Sequence, residues 1–121
     1  MGRPVEIVRD YRQLIHRHLE ALVKGEAEQM YEIEDFAREL HIHPTHLSNT
    51  VFEVEGTSAC GLYQPEILAI AKGLLDDRSQ SIHAVALKLD FDPSQFTRWF
   101  KRFTGMMPKQ YRTNSEIKSI L

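Results

Sequence analysis

Residues 33 to 56 and 82 to 105 carry the same apolar pattern at a constant offset of 49 residues, and no gap is needed to align them. Ile33 falls on Ile82, Phe36 on Val85, Ala37 on Ala86, Leu40 on Leu89, Ile42 on Phe91 and Pro44 on Pro93. Further on, Leu47 falls on Phe96, Val51 on Phe100, Val54 on Phe103 and Gly56 on Gly105. Self-similarity of this kind is an internal duplication, so the two stretches must share one local fold. The spacing within each copy follows the three- and four-residue steps of helices rather than the alternation of strands, which predicts an all-α chain.

The second copy shows what each unit is. Ser81 can cap a short helix over Ile82 to Leu89, with Ile82, Val85, Ala86 and Leu89 on one side. Asp90 then stands at a turn that calls for positive φ, a conformation Asp tolerates better than most residues. Phe91 plugs the corner, Asp92 and Pro93 start a second helix, and Gly105 closes it. On that helix Phe96, Trp99, Phe100 and Phe103 form the expected core face. The other face carries Gln95, Arg98, Lys101 and Arg102, planar hydrogen-bonding groups and positive charges that suit base edges and phosphates. Gln95 and Arg98, joined by Ser94, are therefore the expected base readers, and Lys101, Arg102 and Lys109 the expected phosphate contacts, with helix N-termini adding backbone donors.

In the first copy Glu32 to Leu40 is the supporting helix, His41 takes the positive-φ position, and His43 to Glu55 is the recognition helix. Leu47, Val51 and Val54 are expected inside, as Phe96, Phe100 and Phe103 are in the second. Thr45, Ser48 and Asn49 are the candidates for base contact, Asn to adenine being a familiar geometry. No Lys or Arg occurs on this helix.

Over roughly Ile33 to Arg112 the chain resembles the DNA-binding domain of the AraC/XylS family of bacterial transcription regulators. The stretch FTRWFKRFTGMMPKQYR, Phe96 to Arg112, is similar to that family's signature around and after its second recognition helix. The resemblance implies two helix-turn-helix lobes joined by a linker helix, and sequence-specific binding of double-stranded DNA in transcription control, by contact with RNA polymerase or by blocking it. Several departures stand out: Asp90 replaces the family's usual Gly, Asp92 to Gln95 provides one residue fewer between the turn aromatic and the helix than the family usually has, and the first recognition helix, often basic in the family, carries Asn49, Phe52, Glu53 and Glu55 instead.

Charge is the feature that fits DNA least, since the formal net value is −2 and the pI about 6.3. Its distribution matters more. Residues 1 to 60 hold six Lys/Arg against eleven Asp/Glu, whereas residues 61 to 121 hold nine against six. Ser94 to Arg112 contains five basic residues and no carboxylate, a local basic patch inside a mildly acidic chain. The acidic first half motivates the alternative reading, a helical protein-interaction module that keeps the fold without specific DNA binding.

Flanking segments complete the plan. Residues 5 to 24 read as one amphipathic helix begun after Pro4, with Val8, Tyr11, Ile15, Leu19 and Leu22 along its stripe and Gly25 ending it. It is expected to cap the first lobe; the alternatives are a homodimer contact and the trailing helix of a preceding sensor domain. With the connector Glu26 to Tyr31 it makes up residues 1 to 31, and residues 32 to 121 form the tandem helix-turn-helix domain. There a linker helix runs from residue 64 to 76, its start delayed by Pro65, with Ile67, Leu68, Ala71, Leu74 and Leu75 facing the lobes. The linker must hold two recognition helices about 34 Å apart to reach successive major grooves. A C-terminal helix covers 108 to 120.

Other chemistry finds little footing. HIHPTH, with His41, His43 and His46, lacks a fourth ligand and is interrupted by Pro44, so no metal or other cofactor is expected. Cys60, the single cysteine, is expected to be a buried or half-buried inert thiol and excludes a disulfide framework. No nucleophile elbow, phosphate loop or carboxylate pair suggests an enzyme. No apolar run reaches the length of a membrane span, and a bacterial cytoplasm is the expected setting.

Overall fold

The offset of 49 residues in the sequence is also an offset of the helices. The structure, a computed structural model, describes residues 3 to 120; Met1, Gly2 and Leu121, the outer ends of the two expected domain ranges, lie outside the described residues. Seven helices and no strand occur among the described residues: α1 Pro4–Lys24, α2 Ile33–Glu39, α3 Pro44–Glu55, α4 Ala59–Asp76, α5 Ile82–Lys88, α6 Pro93–Thr104 and α7 Pro108–Ile120. The starts of α2, α3 and α4 each recur 49 residues later in α5, α6 and α7. The fold is all-α, and the duplication extends beyond its apolar pattern: the N-caps Glu32 and Ser81 correspond at the same offset, and so do the starts of the helices that follow each motif.

The chain divides into two units, Met1–Ile67 and Leu68–Leu121. In the first, α1 begins with Pro4 in its first turn and ends at Gly25, whose φ of 79° provides the left-handed cap. Its expected stripe, Val8, Tyr11, Ile15, Leu19 and Leu22, is buried, together with Ile7 and His18, as α1 packs on α2 and α3. Phe36 of α2 sits at the centre of this core. The rings of Tyr11, Tyr31 and Tyr63 meet it edge-on with centroids 5.4, 5.2 and 4.9 Å away, the arrangement that aromatic quadrupoles favour. The phenol groups are satisfied at the same time: Tyr11 donates to the carbonyl of Ala59 at 2.7 Å and Tyr63 to that of Tyr31 at 2.9 Å. Burial pushes both hydroxyls well above the ordinary tyrosine range, so they remain donors.

The second unit is built on Phe96 and Phe100 of α6 against Val85, Ala86 and Leu89, all fully buried. Arg112 of α7 closes it. Its Nε donates to the carbonyl of Leu75 and its Nη2 to that of Gln80, both at 2.8 Å, which satisfies one carbonyl of the last turn of α4 and one in the loop that follows it. Tyr111 packs its ring 5.5 Å from that of Phe100.

Four expectations need correction. The helix between the motifs begins at Ala59, not at Gln64, because Ser58 caps it: its hydroxyl accepts the N–H of Gly61 at 2.9 Å. Pro65 thus lies inside α4 instead of delaying it, on an exposed position where its ring meets solvent. Phe103 is 46% exposed, Trp99 is half-buried and Val54 is half-buried. The seven-residue helices α2 and α5 are too short to cover the last turn of their twelve-residue partners, so the third inward position of each recognition helix reaches the edge of its core. Leu68, Leu74 and Ile82 are likewise only half-buried. Cys60 is exposed, because the first turn of α4 turns Ala59 inward and its neighbour outward.

Among the described residues, His18 is the one buried histidine. Its Nε2 accepts the backbone N–H of Tyr31 at 2.8 Å and its ring stacks on Tyr31 with centroids 4.0 Å apart. Burial lowers its pKa, only partly opposed by the carboxylates of Glu39 and Asp35. The unfolded chain therefore binds more protons in the window below the ordinary histidine value, and stability that is complete above about pH 6.5 falls as pH drops towards the folded value. The melting temperature of the wild type should decline across that window, whereas His18→Gln, which keeps an acceptor that does not titrate, should start lower at pH 7.5 and decline less. Equal slopes for the two proteins would show that His18 is not the group responsible.

Candidate nucleic-acid interface

Each recognition helix is entered through one strained residue. His41 has φ 58° and Asp90 has φ 63°, the left-handed values expected of both. The residues that follow, Ile42 and Phe91, return their N–H groups to Ala37 and Ala86 at 3.0 and 2.9 Å. Both corners therefore carry the same hydrogen bond, and each delivers the chain to an N-cap two residues later.

The caps differ in chemistry. Asp92 accepts the N–H groups of Ser94 and Gln95 at 3.1 and 3.4 Å, and the Ser94 hydroxyl also donates to the Asp92 carboxylate. The Ser94 hydroxyl, the largest cause, and the backbone N–H groups hold the carboxyl below its usual range, with a further contribution from the charge of Arg98. His43 caps α3 through Nδ1, which accepts the N–H of Thr45 at 3.1 Å and so serves as an unprotonated nitrogen. Gly56 and Gly105 close the two helices at φ 73° and 77°.

On α6 the side chains of Ser94, Gln95, Arg98, Lys101 and Arg102 are all exposed, and Lys109 is exposed at the start of α7. Arg102 lies over the ring of Phe103, 5.8 Å from its centroid. Helix α6 therefore presents Arg98, Lys101 and Arg102 together on its outer surface, while Ser94 already uses its hydroxyl proton on Asp92 and keeps only acceptor capacity. Thr97, flanking this face, donates its hydroxyl to the Pro93 carbonyl at 3.1 Å. Of the five basic residues between Ser94 and Arg112, Arg112 is half-buried and bound to the carbonyls of Leu75 and Gln80, so it is taken up in closing the unit.

On α3, Thr45 and Asn49 are exposed and Ser48 is half-buried. Thr50, which the spacing did not single out, is buried beside Leu47 and Val51. Glu55 is held by Arg12 of α1 at 3.1 Å, which neutralises one of the acidic groups at the end of this helix. The outer face of α3 is thus polar and uncharged over its first two turns, and that of α6 is basic.

Asp92 ties this surface to stability. Asp92→Ala should lower the melting temperature and Asp92→Asn, which can still accept the capping N–H groups, should retain most of it. Because the folded carboxyl titrates below its unfolded value, the wild-type advantage is present above about pH 4 and disappears as pH falls through the folded value. A wild-type to Asp92→Ala difference that persists unchanged in strong acid would contradict this assignment.

Comparison with known proteins follows the same lines. Residues 36–114 match the family model described as a helix-turn-helix domain. The chain is 33% identical over 99 residues to the uncharacterised HTH-type transcriptional regulator YobQ of Bacillus subtilis, a match covering 81% of this chain and 38% of that protein. It is 29% identical over 110 residues to the arabinose operon regulatory protein of Salmonella typhimurium, covering 90% and 37%. The chain therefore spans less than two fifths of the length of these relatives. Among solved structures, the C-terminal domain of AraT, a response regulator from Geobacillus stearothermophilus, is similar with a TM-score of 0.77 and 29% identity over 93% of this chain and 88% of that one. The DNA-binding domain of the global transcriptional factor AdpA shares the fold, with a TM-score of 0.73 and 18% identity over 90% and 95%.

Proposed function

The chain belongs to the AraC/XylS family of helix-turn-helix transcription regulators, and from that premise we propose that it binds double-stranded DNA at specific sequences and thereby regulates transcription. The observation that carries this reading is the exposed Arg98, Lys101 and Arg102 on one recognition helix of a domain of this family. Such a domain binds DNA rather than catalysing a reaction, and the match speaks against a protein-interaction module that merely inherited the fold. Among the described residues no helix is long and apolar enough to cross a membrane.

In this reading Gln95 and Arg98 read bases, Ser94 joins them as an acceptor, and Lys101, Arg102 and Lys109 hold phosphates. Thr45, Ser48 and Asn49 of α3 read the other half of the site. Residues 32–121 are the DNA-binding part, and α1 with its connector, residues 1–31, buttresses the first motif. Regulation would then proceed through contact with RNA polymerase or by occluding it. Dimerisation through α1 draws no support from its apolar stripe, which is already covered within the first unit.

Binding to genomic fragments at low and moderate salt is the direct test, and failure to retain any fragment at either would overturn the reading. Counterion release makes Lys and Arg the main source of affinity, so the two motifs should contribute unequally. Arg98→Ala should cost roughly 1 to 3 kcal/mol and relax selectivity at one base if its guanidinium meets a guanine edge. Lys101→Ala or Arg102→Ala should weaken all sequences alike and reduce the salt slope by about one unit. Asn49→Ala should leave the slope unchanged and alter preference in the far half of the site. Isotherms at several salt concentrations separate these outcomes; abolition of binding by changes in α3 together with a neutral Arg98→Ala would contradict the unequal division.

A further inference from the structure

Helix α3 carries one side chain that this scheme leaves unused. Phe52 is 64% exposed, although a phenyl ring gains from leaving water more than almost any other side chain. At 3.6 residues per turn, Thr45, Ser48, Asn49 and Phe52 follow one another at steps of three, one and three and so form a single stripe. That stripe lies opposite the buried Leu47, Thr50 and Val51. From Thr45 to Phe52 it is about 10.5 Å long at 1.5 Å per residue, which fits within a major groove roughly 12 Å wide.

Phe52 therefore shares its face with the residues assigned to base contact. A phosphate offers a phenyl ring nothing, and Glu53, exposed beside it on a helix without Lys or Arg, discourages close approach to the DNA backbone. The edges of the bases offer one apolar group in the major groove, the 5-methyl of thymine. We propose that Phe52 packs on a thymine methyl and so specifies a thymine next to the base read by Asn49. The inference rests on the DNA-binding reading above. It is particular to the first motif, because the 49-residue repeat puts Lys101 at the same register of α6.

The test starts from duplexes selected out of a randomised pool by the wild-type chain and, separately, by Phe52→Ala. Each thymine of the wild-type site is then replaced singly by deoxyuridine, which removes only the methyl group. One replacement in the far half should weaken wild-type binding about fourfold, equivalent to the roughly 0.8 kcal/mol of one buried carbon. The same replacement should leave Phe52→Ala unaffected, and Phe52→Ala should select sites without a preferred base at that position. Phe52→Leu, still apolar, should retain part of the preference. Since Phe52 is exposed, equal melting temperatures will verify that the variants are folded. The inference is overturned if Phe52→Ala selects the same consensus, or if wild type and variant respond equally to every deoxyuridine. A wild-type chain that selects no duplex overturns the DNA-binding reading as well, whereas one that selects a site with no methyl-sensitive thymine overturns this inference alone.

Discussion

Each motif turns its corner on a single non-glycine residue held at positive φ, and the placement of both recognition helices depends on it. A left-handed conformation costs an L-residue roughly 1 to 2 kcal/mol, less for the short polar types that can hydrogen-bond locally. The surrounding backbone imposes it at His41 and Asp90. The N–H of each returns to a carbonyl three residues back, on Arg38 and Leu87, and the next N–H returns five residues back, to Ala37 and Ala86. Ala37 and Ala86 are fully buried, and a larger side chain there would have to displace the surrounding core. Small residue, strained turn and apolar corner form one device, which is why all three recur at the same offset.

This device was legible in the sequence because it depends on residue type. His and Asp stand where the backbone requires a tolerant residue, Ala where the chain is fully buried beneath the corner, and Pro and Gly where α3 and α6 begin and end. The less legible features depend on reach instead. Phe103 has the spacing of a core residue but faces outward at its end of α6, since periodicity reports direction and says nothing of how far the supporting helix extends. The early start of α4 was readable in principle. Helix α7 begins at Pro108, and the duplicated register points from there to Ala59, with Ser58 as the cap. Pro65 does not prevent it, because one proline on an exposed helical position removes a single hydrogen bond whose carbonyl partner solvent can satisfy.

The charge pattern of the sequence is similarly informative up to a point. Arg112 belongs to the basic run by sequence and, by structure, to the end of α4 and the loop after it, where a planar guanidinium can serve two carbonyls at once. The repeat places Tyr63 at the corresponding point of the first unit, and its hydroxyl also bonds a backbone carbonyl, that of Tyr31. The two side chains share a structural task, closing a unit by satisfying main-chain oxygens, while differing in charge. An arginine in a basic stretch is thus available to DNA only if no helix end has claimed it.

The same logic separates the N-termini of the two recognition helices. A helix N-terminus attracts phosphate through its unpaired N–H groups and the positive end of its dipole. At α6 the Asp92 carboxylate occupies two of those N–H groups and sets a negative charge against the dipole, so this end is already partly neutralised. At α3 the cap is an imidazole nitrogen bonded to one N–H, and no carboxylate in the first turn opposes the dipole. The motif poor in basic side chains thus keeps the more attractive helix end, and the motif rich in them covers its own. The two copies thus place their positive groups differently, on side chains in α6 and at an uncovered helix end in α3, and a duplicated fold can diverge this way without moving a helix.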